Sequence, residues 1–174
     1  MSTSTQVDWN WLINSDTDGL ELKLADNITF ETGIKTSELN GNCFDGGCFT
    51  TSDAFVYSLH RDKFSSIPIT EEHAFTLAIT ATIATHYLRP LATKSWYFEL
   101  ANNDLCRPVQ AGDWVSLNAV NEAIYLVLNT DHTASDIMLV SSEHQIDKQR
   151  TFSRGKTLRV HNDRLNPVLY EIQE

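Results

Sequence analysis

Apolar and polar side chains alternate in three short runs near the beginning of the chain. Residues 9–13 and 20–24 place apolar side chains at every second position, and the turn-forming sequence 15–19 separates them. A third run, 28–30, follows a polar turn at 25–27. Because successive side chains of a strand point to opposite faces, this alternation indicates strands with one buried face. The sequence therefore predicts an antiparallel hairpin that continues into a three-stranded meander.

A different spacing, typical of a helix, covers residues 71–88. Apolar side chains occupy well over half of the helix circumference, which indicates a largely buried helix packed on the sheet. Thr70 is a suitable N-cap, and Glu71 and Glu72 follow it near the positive end of the helix dipole. Pro90 is predicted to end the helix.

Residues 52–64 fit two interpretations. Phe55, Tyr57 and Leu59 alternate as in a strand, whereas Ser52 as an N-cap would begin a short helix. The helix is the preferred interpretation.

Beyond Pro90 the pattern changes to short strand-like runs separated by turn residues. The six runs are 95–100, 114–117, 123–129, 136–140, 157–161 and 168–172. Such spacing predicts a small barrel or a strongly curved sheet. The predicted fold class is α+β, with an N-terminal α/β domain (1–90, hairpin or meander plus a long buried helix) and a small C-terminal barrel-like β domain (91–174).

The charge of the chain argues against a nucleic-acid partner. Its formal net charge is −10, whereas phosphate binding requires a basic face. The charge is uneven, because residues 1–88 carry 4 Lys/Arg and 12 Asp/Glu while residues 89–174 carry 9 and 11. A local basic patch in the second half is therefore compatible with the composition.

Cysteine content and hydropathy predict a cytoplasmic protein without membrane insertion. Cys43, Cys48 and Cys106 are an odd number, so they cannot form a complete disulfide framework. The small polar stretch 1–6 does not resemble a signal sequence, and no apolar run approaches the roughly 20 residues that cross a bilayer.

Familiar catalytic and metal-binding motifs are absent from the sequence. It contains no G-x-S-x-G, Walker-type loop or H-E-x-x-H, and Cys43 and Cys48 lack a second ligand pair at useful spacing. The six histidines are predicted to lie at the surface or its boundary: His60, His73, His86, His132, His144 and His161. We therefore predict no catalytic residue, no metal and no cofactor, although the spacing leaves open a pair of catalytic carboxylates.

The aromatic residues allow two interpretations. They are spread along the chain: Trp9, Trp11, Phe30, Tyr57, Phe75, Tyr87, Trp96 and Trp114. Large rings fill a core without any ligand, but a partly exposed apolar groove is also a common acceptor of peptides. An enzyme or small-molecule binder that uses an aromatic pocket is the alternative function.

Three basic positions have neighbours that are common in interfaces. Arg89 precedes a proline, Lys94 lies two residues before Trp96, and Arg164 lies in the sequence 162–167. Arg and Trp are enriched where interfaces are strongest. A helix end and a solvated loop would explain Arg89 and Lys94 equally well.

Four groups of residues carry a family resemblance. They are Asp8-x-x-Trp11; Leu20-x-Leu22-x-Leu24-Ala25-x-x-x-x-Phe30; Tyr87-Leu88-Arg89-Pro90 with Lys94-Ser95-Trp96-x-Phe98; and Asn162-Asp163-Arg164-Leu165-x-Pro167. With these motifs the chain resembles the ZapC family of cell-division proteins, which associate with FtsZ. The resemblance implies a cytoplasmic protein recruited to midcell that binds FtsZ polymers, promotes their lateral association and restrains their GTPase activity.

The resemblance also implies where the partner binds, at a hydrophobic peptide pocket in the N-terminal domain and at basic surface residues. Carried over by motif, the basic partner-binding positions are Arg89, Lys94 and Arg164, and the hydrophobic position is Leu22. The predicted ligand is an FtsZ segment, its C-terminal peptide, and other division proteins are further candidate partners. The protein is expected to act as a monomer or weak oligomer, without a cofactor.

Overall fold

The computed structural model describes residues 8–43, 45–89, 94–102 and 108–168. The chain divides into two compact units, Met1–Arg89 and Pro90–Glu174, which we call unit 1 and unit 2.

Unit 1 contains a three-stranded antiparallel sheet and two helices. The elements are β1 (Asn10–Asn14), β2 (Gly19–Lys23), β3 (Thr29–Lys35), α1 (Thr51–Ser65) and α2 (Glu71–His86). The strand order β1-β2-β3 confirms the predicted meander. The third strand is longer than the predicted run 28–30, because it continues through Gly33, whose φ of 76° is readily adopted by glycine.

The helical interpretation of residues 52–64 is confirmed, but Ser52 is not the N-cap. Thr50 caps α1, since its hydroxyl accepts a hydrogen bond from the Asp53 amide at 3.1 Å. The Asp53 carboxylate in turn accepts from the Thr50 amide at 2.9 Å. This reciprocal capping box satisfies two backbone donors and therefore begins the helix at Thr51.

Helix α2 begins as predicted, with Thr70 as its N-cap, but it ends at His86 rather than Leu88. The amides of Tyr87 and Leu88 both donate to the Ile83 carbonyl, so the helical hydrogen-bond pattern stops there. Pro90, the predicted terminator, lies outside the described residues.

The threonines of α2 satisfy their own hydroxyl groups. Thr80, Thr82 and Thr85 each donate to the carbonyl four residues earlier, at 2.8 to 2.9 Å. Their polar atoms can therefore lie within a mostly apolar helix that has Leu77, Ile79 and Ile83 fully buried.

Unit 2 consists mainly of antiparallel strands. They are β4 (Trp114–Asn118), β5 (Glu122–Thr130), β6 (Ala134–Leu139), β7 (Glu143–Gln145), β8 (Thr151–Ser153), β9 (Thr157–His161) and β10 (Asn166–Pro167). Five of them form a sheet in the order β10-β4-β5-β6-β9, and β7 pairs with β8. Within the described residues β10 and β9 do not pair with each other, so the sheet is open. The predicted α+β class is confirmed.

Four of the six predicted strands are confirmed, namely β4, β5, β6 and β9. The prediction for residues 95–100 is wrong, because Ser95–Tyr97 is a short 3-10 helix in which the Phe98 amide donates to the Ser95 carbonyl. The last run is only partly described: β10 precedes it, and residues 169–172 lie outside the described part. The β7–β8 hairpin was not predicted.

Two histidines are buried, contrary to the surface or boundary position predicted for all six. His144 is fully buried, and its Nε2 lies 2.9 Å from the Asn121 carbonyl, which can only accept. Nε2 therefore carries the proton, and Nδ1 accepts from the Tyr125 hydroxyl at 2.8 Å. His60 is 7% exposed, and burial lowers its pKa from 6.5 to about 4.

We expect acidification to destabilise unit 1 through His60. Between pH 6.5 and about 4 the unfolded side chain takes up a proton that the folded one excludes, so stability falls as pH falls through this window. The shift corresponds to a loss on the order of 3 kcal/mol. Urea unfolding followed by the helical circular-dichroism signal measures it, because α1 and α2 both lie in unit 1.

His60→Phe keeps a ring beside Phe64 but cannot be protonated, so its stability should depend less on pH across this window. His132→Gln, at an exposed turn, is the matched control and should behave like the parent. If His60→Phe loses as much stability as the parent, His60 is not the responsible group.

Candidate functional site

The segment 94–102 forms one surface of unit 2 and is fastened by side-chain and backbone bonds. Phe98 is 1% exposed and belongs to the apolar core of this unit. Arg164 Nη1 donates to the Phe98 carbonyl at 2.8 Å, and Ser95 Oγ accepts from the His161 amide at 3.1 Å. The segment is therefore held in a fixed path without belonging to a strand.

Two large apolar side chains of this segment remain exposed. Trp96 is 69% exposed and Leu100 is 65% exposed. Lys94 is also exposed, and its Nζ lies 5.4 Å from the centroid of the Trp96 ring, within the range of a cation–π contact. Among the described residues no carboxylate forms an ion pair with Lys94. Such a surface can bind a ligand that carries both apolar and acidic groups.

Arg164 is tied to the same segment, but it has a structural role as well. Its side chain is 21% exposed, and Nε lies 3.2 Å from Asp163 Oδ1 in an ion pair that lacks hydrogen-bond geometry. The Arg164 guanidinium therefore uses two of its nitrogens within unit 2, one in this ion pair and one in the bond to the Phe98 carbonyl. The structure thus places Lys94 on this segment and Arg164 against its backbone, with Lys94 the more accessible.

The sequence around Arg164 is largely structural. The Asn162 side chain accepts from Ser135 Oγ at 2.6 Å and donates to the Asp131 carbonyl at 2.9 Å. Leu165 is fully buried in the core of unit 2. These contacts give the motif 162–167 a structural role that does not require a partner.

Leu22 lies in the core of unit 1 and not at its surface. Its side chain is 0% exposed, on the central strand β2 opposite Trp11 and Phe30. Any influence of Leu22 on partner binding must therefore act through the packing of unit 1.

An aromatic cluster adjoins Leu22 in unit 1. Its ring pairs are mostly edge-to-face, and its members are Trp9, Trp11, Phe30, Phe49, Tyr57, Phe75 and Tyr87. Most of these rings fill the core, as Trp9 and Trp11 do. Phe30 and Phe75, with centroids 5.1 Å apart, are partly exposed at the edge of the cluster.

Arg89 is exposed on a strand-like segment that follows α2. Its amide donates to the Glu38 carbonyl at 2.8 Å, and the preceding Leu88 forms a β-bridge with Leu39. The backbone is therefore fixed while the side chain faces solvent. The structure places Arg89 and Leu22 in unit 1, and Lys94 and Arg164 in unit 2.

Sequence reasoning missed a buried carboxylate that fixes the segment after α2. Asp53 is 1% exposed and accepts from the Tyr87 hydroxyl, at 2.8 and 2.9 Å to its two oxygens, and from Trp11 Nε1 at 3.2 Å. Burial raises the pKa of Tyr87, and the hydrogen bond to the negatively charged Asp53 carboxylate raises it further. The spacing Thr50-x-x-Asp53 is a capping-box signal that could have drawn attention to this residue.

The described residues contain no metal-ligating cluster, and burial disfavours the reactive form of Cys43. No three His, Cys, Asp or Glu side chains in that part of the chain converge on a position for a metal ion. Burial, with a smaller contribution from Asp53, raises the pKa of Cys43 to about 11, so its thiolate is scarce at neutral pH. Cys106 lies outside the described residues. Neither described helix combines the length and apolar character that a bilayer crossing requires.

Comparison with known proteins relates both units to one group. Residues 3–89 match the family described as cell-division protein ZapC, N-terminal, and residues 90–171 match cell-division protein ZapC, C-terminal. A cell division protein ZapC from Musicola paradisiaca is 28% identical over 162 residues, or 92% of this chain and 87% of that relative. One from Shewanella oneidensis is 27% identical over 165 residues, or 94% of this chain and 92% of that relative.

The two matched halves and their shared description define a two-part cell-division protein. The chain belongs to the ZapC family. The family membership that the sequence motifs predicted is thereby confirmed.

Because Leu22 is buried, we expect its truncation to act on stability. Leu22→Ala should lower the free energy of unfolding by about 2–5 kcal/mol, since it leaves a cavity beside Trp11 and Phe30. Leu22→Pro should cost more, because it also removes a backbone donor from the central strand. Urea unfolding measures both changes.

Leu22→Met is the matched control, since it keeps nearly the same volume and should cost less than about 1.5 kcal/mol. An unchanged unfolding midpoint for Leu22→Ala would contradict the packing role of this side chain.

Proposed function

We propose that this protein is a non-enzymatic division factor that binds FtsZ directly, promotes lateral association of its polymers and restrains its GTPase activity. The proposal rests on membership of the ZapC family together with the exposed pair formed by Lys94 and Trp96. A protein with these roles would act in the cytoplasm at the division site.

The contacts available to such a partner are individually weak. An exposed ion pair contributes roughly 0–1 kcal/mol, and burial of an apolar anchor such as Trp96 contributes about 1.5–3 kcal/mol. A few of them give an affinity on the order of micromolar for one copy. A polymer presents many copies of the same surface, so several bound molecules or a bridging contact raise occupancy without new chemistry.

The partner-facing residues divide between the two units. Lys94, Trp96 and Leu100 on unit 2 present cationic and apolar groups, and Arg89 presents a cation on unit 1. Acidic groups of FtsZ would pair with the cations while its apolar side chains cover the exposed ring. The C-terminal peptide of FtsZ is one such segment, and co-sedimentation with FtsZ that lacks this peptide tests its contribution.

We expect Lys94→Glu and Trp96→Ala to weaken co-sedimentation with FtsZ polymers. Each should raise the apparent Kd by about 3-fold to 10-fold, since one removes a rim charge and the other an apolar anchor. Both side chains are exposed, so the melting temperature should stay close to that of the parent.

Lys23→Glu is the matched control, because Lys23 is exposed on β2 and the substitution changes the charge by the same amount. If Lys94→Glu and Trp96→Ala pellet with FtsZ like the parent and the control, unit 2 does not bind through this surface.

Reversing the charge at Arg89 should also weaken pelleting without unfolding unit 1, since its side chain is exposed and its backbone bond to Glu38 is retained. Arg164→Glu requires a stability measurement beside the binding assay, because it breaks the bond to the Phe98 carbonyl. Undiminished pelleting of Arg89→Glu would remove unit 1 from the proposed contact.

A further inference from the structure

The β7–β8 hairpin and the turn after it concentrate positive charge on an acidic protein. Lys148, Arg150, Arg154 and Lys156 lie in this short stretch, whereas the chain as a whole has a formal net charge of −10. Residues 148–156 contain no Asp or Glu. The charge asymmetry noted in the sequence thus has a definite location in unit 2.

Two of these cations are held over aromatic rings. Arg150 Cζ lies 4.8 Å from the Tyr97 ring centroid, and Lys156 Nζ lies 5.8 Å from the Phe152 ring centroid. Tyr97 and Phe152 both pack against the apolar core of unit 2. A long cationic side chain that already rests on a fixed ring loses less conformational freedom when it binds an anion.

Lys148, Arg150 and Lys156 are at most weakly neutralised within the described residues. Arg159 shows the contrast, because its guanidinium is paired with both Asp131 and Asp136. Among the described residues Lys148 and Lys156 have no ion pair. Arg150 Nε lies 4.0 Å from Asp147 Oδ2, which is a long ion pair. Lys148 and Arg150 are exposed, so their charge is available to a partner.

The hairpin is linked to the surface described above through Tyr97. The ring of Tyr97 lies 6.0 Å from that of Trp96, the residue that carries Lys94 on its face. A row of two adjacent rings with a cation at each end therefore runs from Lys94 through Trp96 and Tyr97 to Arg150. We call Lys148, Arg150 and Lys156, with the rings of Tyr97 and Phe152, the hairpin surface.

We propose that the hairpin surface is a contact site for an acidic face of a partner protein and extends the binding surface of unit 2. This inference rests on the proposed function, in which that partner is polymerised FtsZ. An acidic partner would be repelled by the net charge of this chain, so a local cationic surface is needed to orient it. Ring-held cations at fixed positions favour carboxylates presented in a matching pattern.

A protein partner is favoured over a nucleic acid or an anionic membrane. A polyanion extends far beyond the contact and would be exposed to the net charge of −10. An acidic patch on a folded protein is local and meets mainly the hairpin surface.

The test measures pelleting of the full chain with FtsZ polymers over a salt series. Arg150→Glu and Lys156→Glu should each raise the apparent Kd about 5-fold at low salt, with a smaller difference at high salt. Lys23→Glu supplies the same charge change on unit 1 and should stay within about 2-fold of the parent at every salt concentration. Melting temperatures of all variants should match the parent within a few degrees.

Tyr97→Leu separates the ring from the charge. It keeps Arg150 but removes its support, so it should weaken binding, and adding Arg150→Gln should cost less than in the parent background. Additive effects of the two substitutions would overturn the ring-held geometry.

The outcomes distinguish the inference from the proposed function. If the parent pellets with FtsZ and the hairpin variants do so equally well at low salt, the hairpin inference alone is overturned. If the parent does not pellet at all, the proposed function and the inference both fail. Binding of the parent to anionic phospholipid vesicles or duplex DNA, lost in Arg150→Glu while FtsZ pelleting is unchanged, would overturn the assignment of a protein partner.

Discussion

The Asp53 carboxylate, 1% exposed, accepts hydrogen bonds from three separate parts of unit 1. They are the Trp11 indole on β1, the Thr50 amide at the start of α1, and the Tyr87 hydroxyl just after α2. A buried carboxylate is tolerated only when such donors satisfy it, and removal of the acceptor would leave each donor unpaired at about 1–3 kcal/mol. The relative position of these elements, and hence the start of the segment after α2 that carries Arg89, depends on this one group.

Unit 2 likewise uses polar side chains to join distant parts of the chain, both at the exposed segment 94–102 and in its core. The path of residues 94–102 is determined by side chains that bond backbone atoms, as Arg164 does at the Phe98 carbonyl. His144 joins Tyr125 to the Asn121 carbonyl and stacks on Phe98 at 5.8 Å, so the segment and the β4–β5 turn share one buried contact. A surface built on such fixed backbone loses little entropy when a partner binds.

Local patterns predicted the elements whose stability is local in origin. The meander and α2 follow from alternation, helical spacing and the Thr70 cap, which involve near neighbours in the chain. The alternating pattern of 95–100 wrongly predicted a strand, because tertiary bonds and not strand pairing hold that segment. Strands of three residues such as β7 are too short to show a period. Lys94 could be selected from its neighbours, but the Trp11–Asp53 bond joins residues 42 apart, and no local pattern reveals it.

Under the proposed function, the distribution of charge and exposed rings would let the protein discriminate polymers from free subunits. Each exposed cation or ring contributes only about 1–3 kcal/mol at most, so a single contact to one subunit is short-lived. The net charge of −10 weakens nonspecific association with other acidic proteins, while the cations of unit 2 act at close range within the screening length of about 8 Å in physiological salt. Repeated subunits multiply these short-range contacts without strengthening any one of them. In the proposed function, selectivity for an assembled filament would arise from the weakness of each contact, because tight binding to a single subunit would remove the difference.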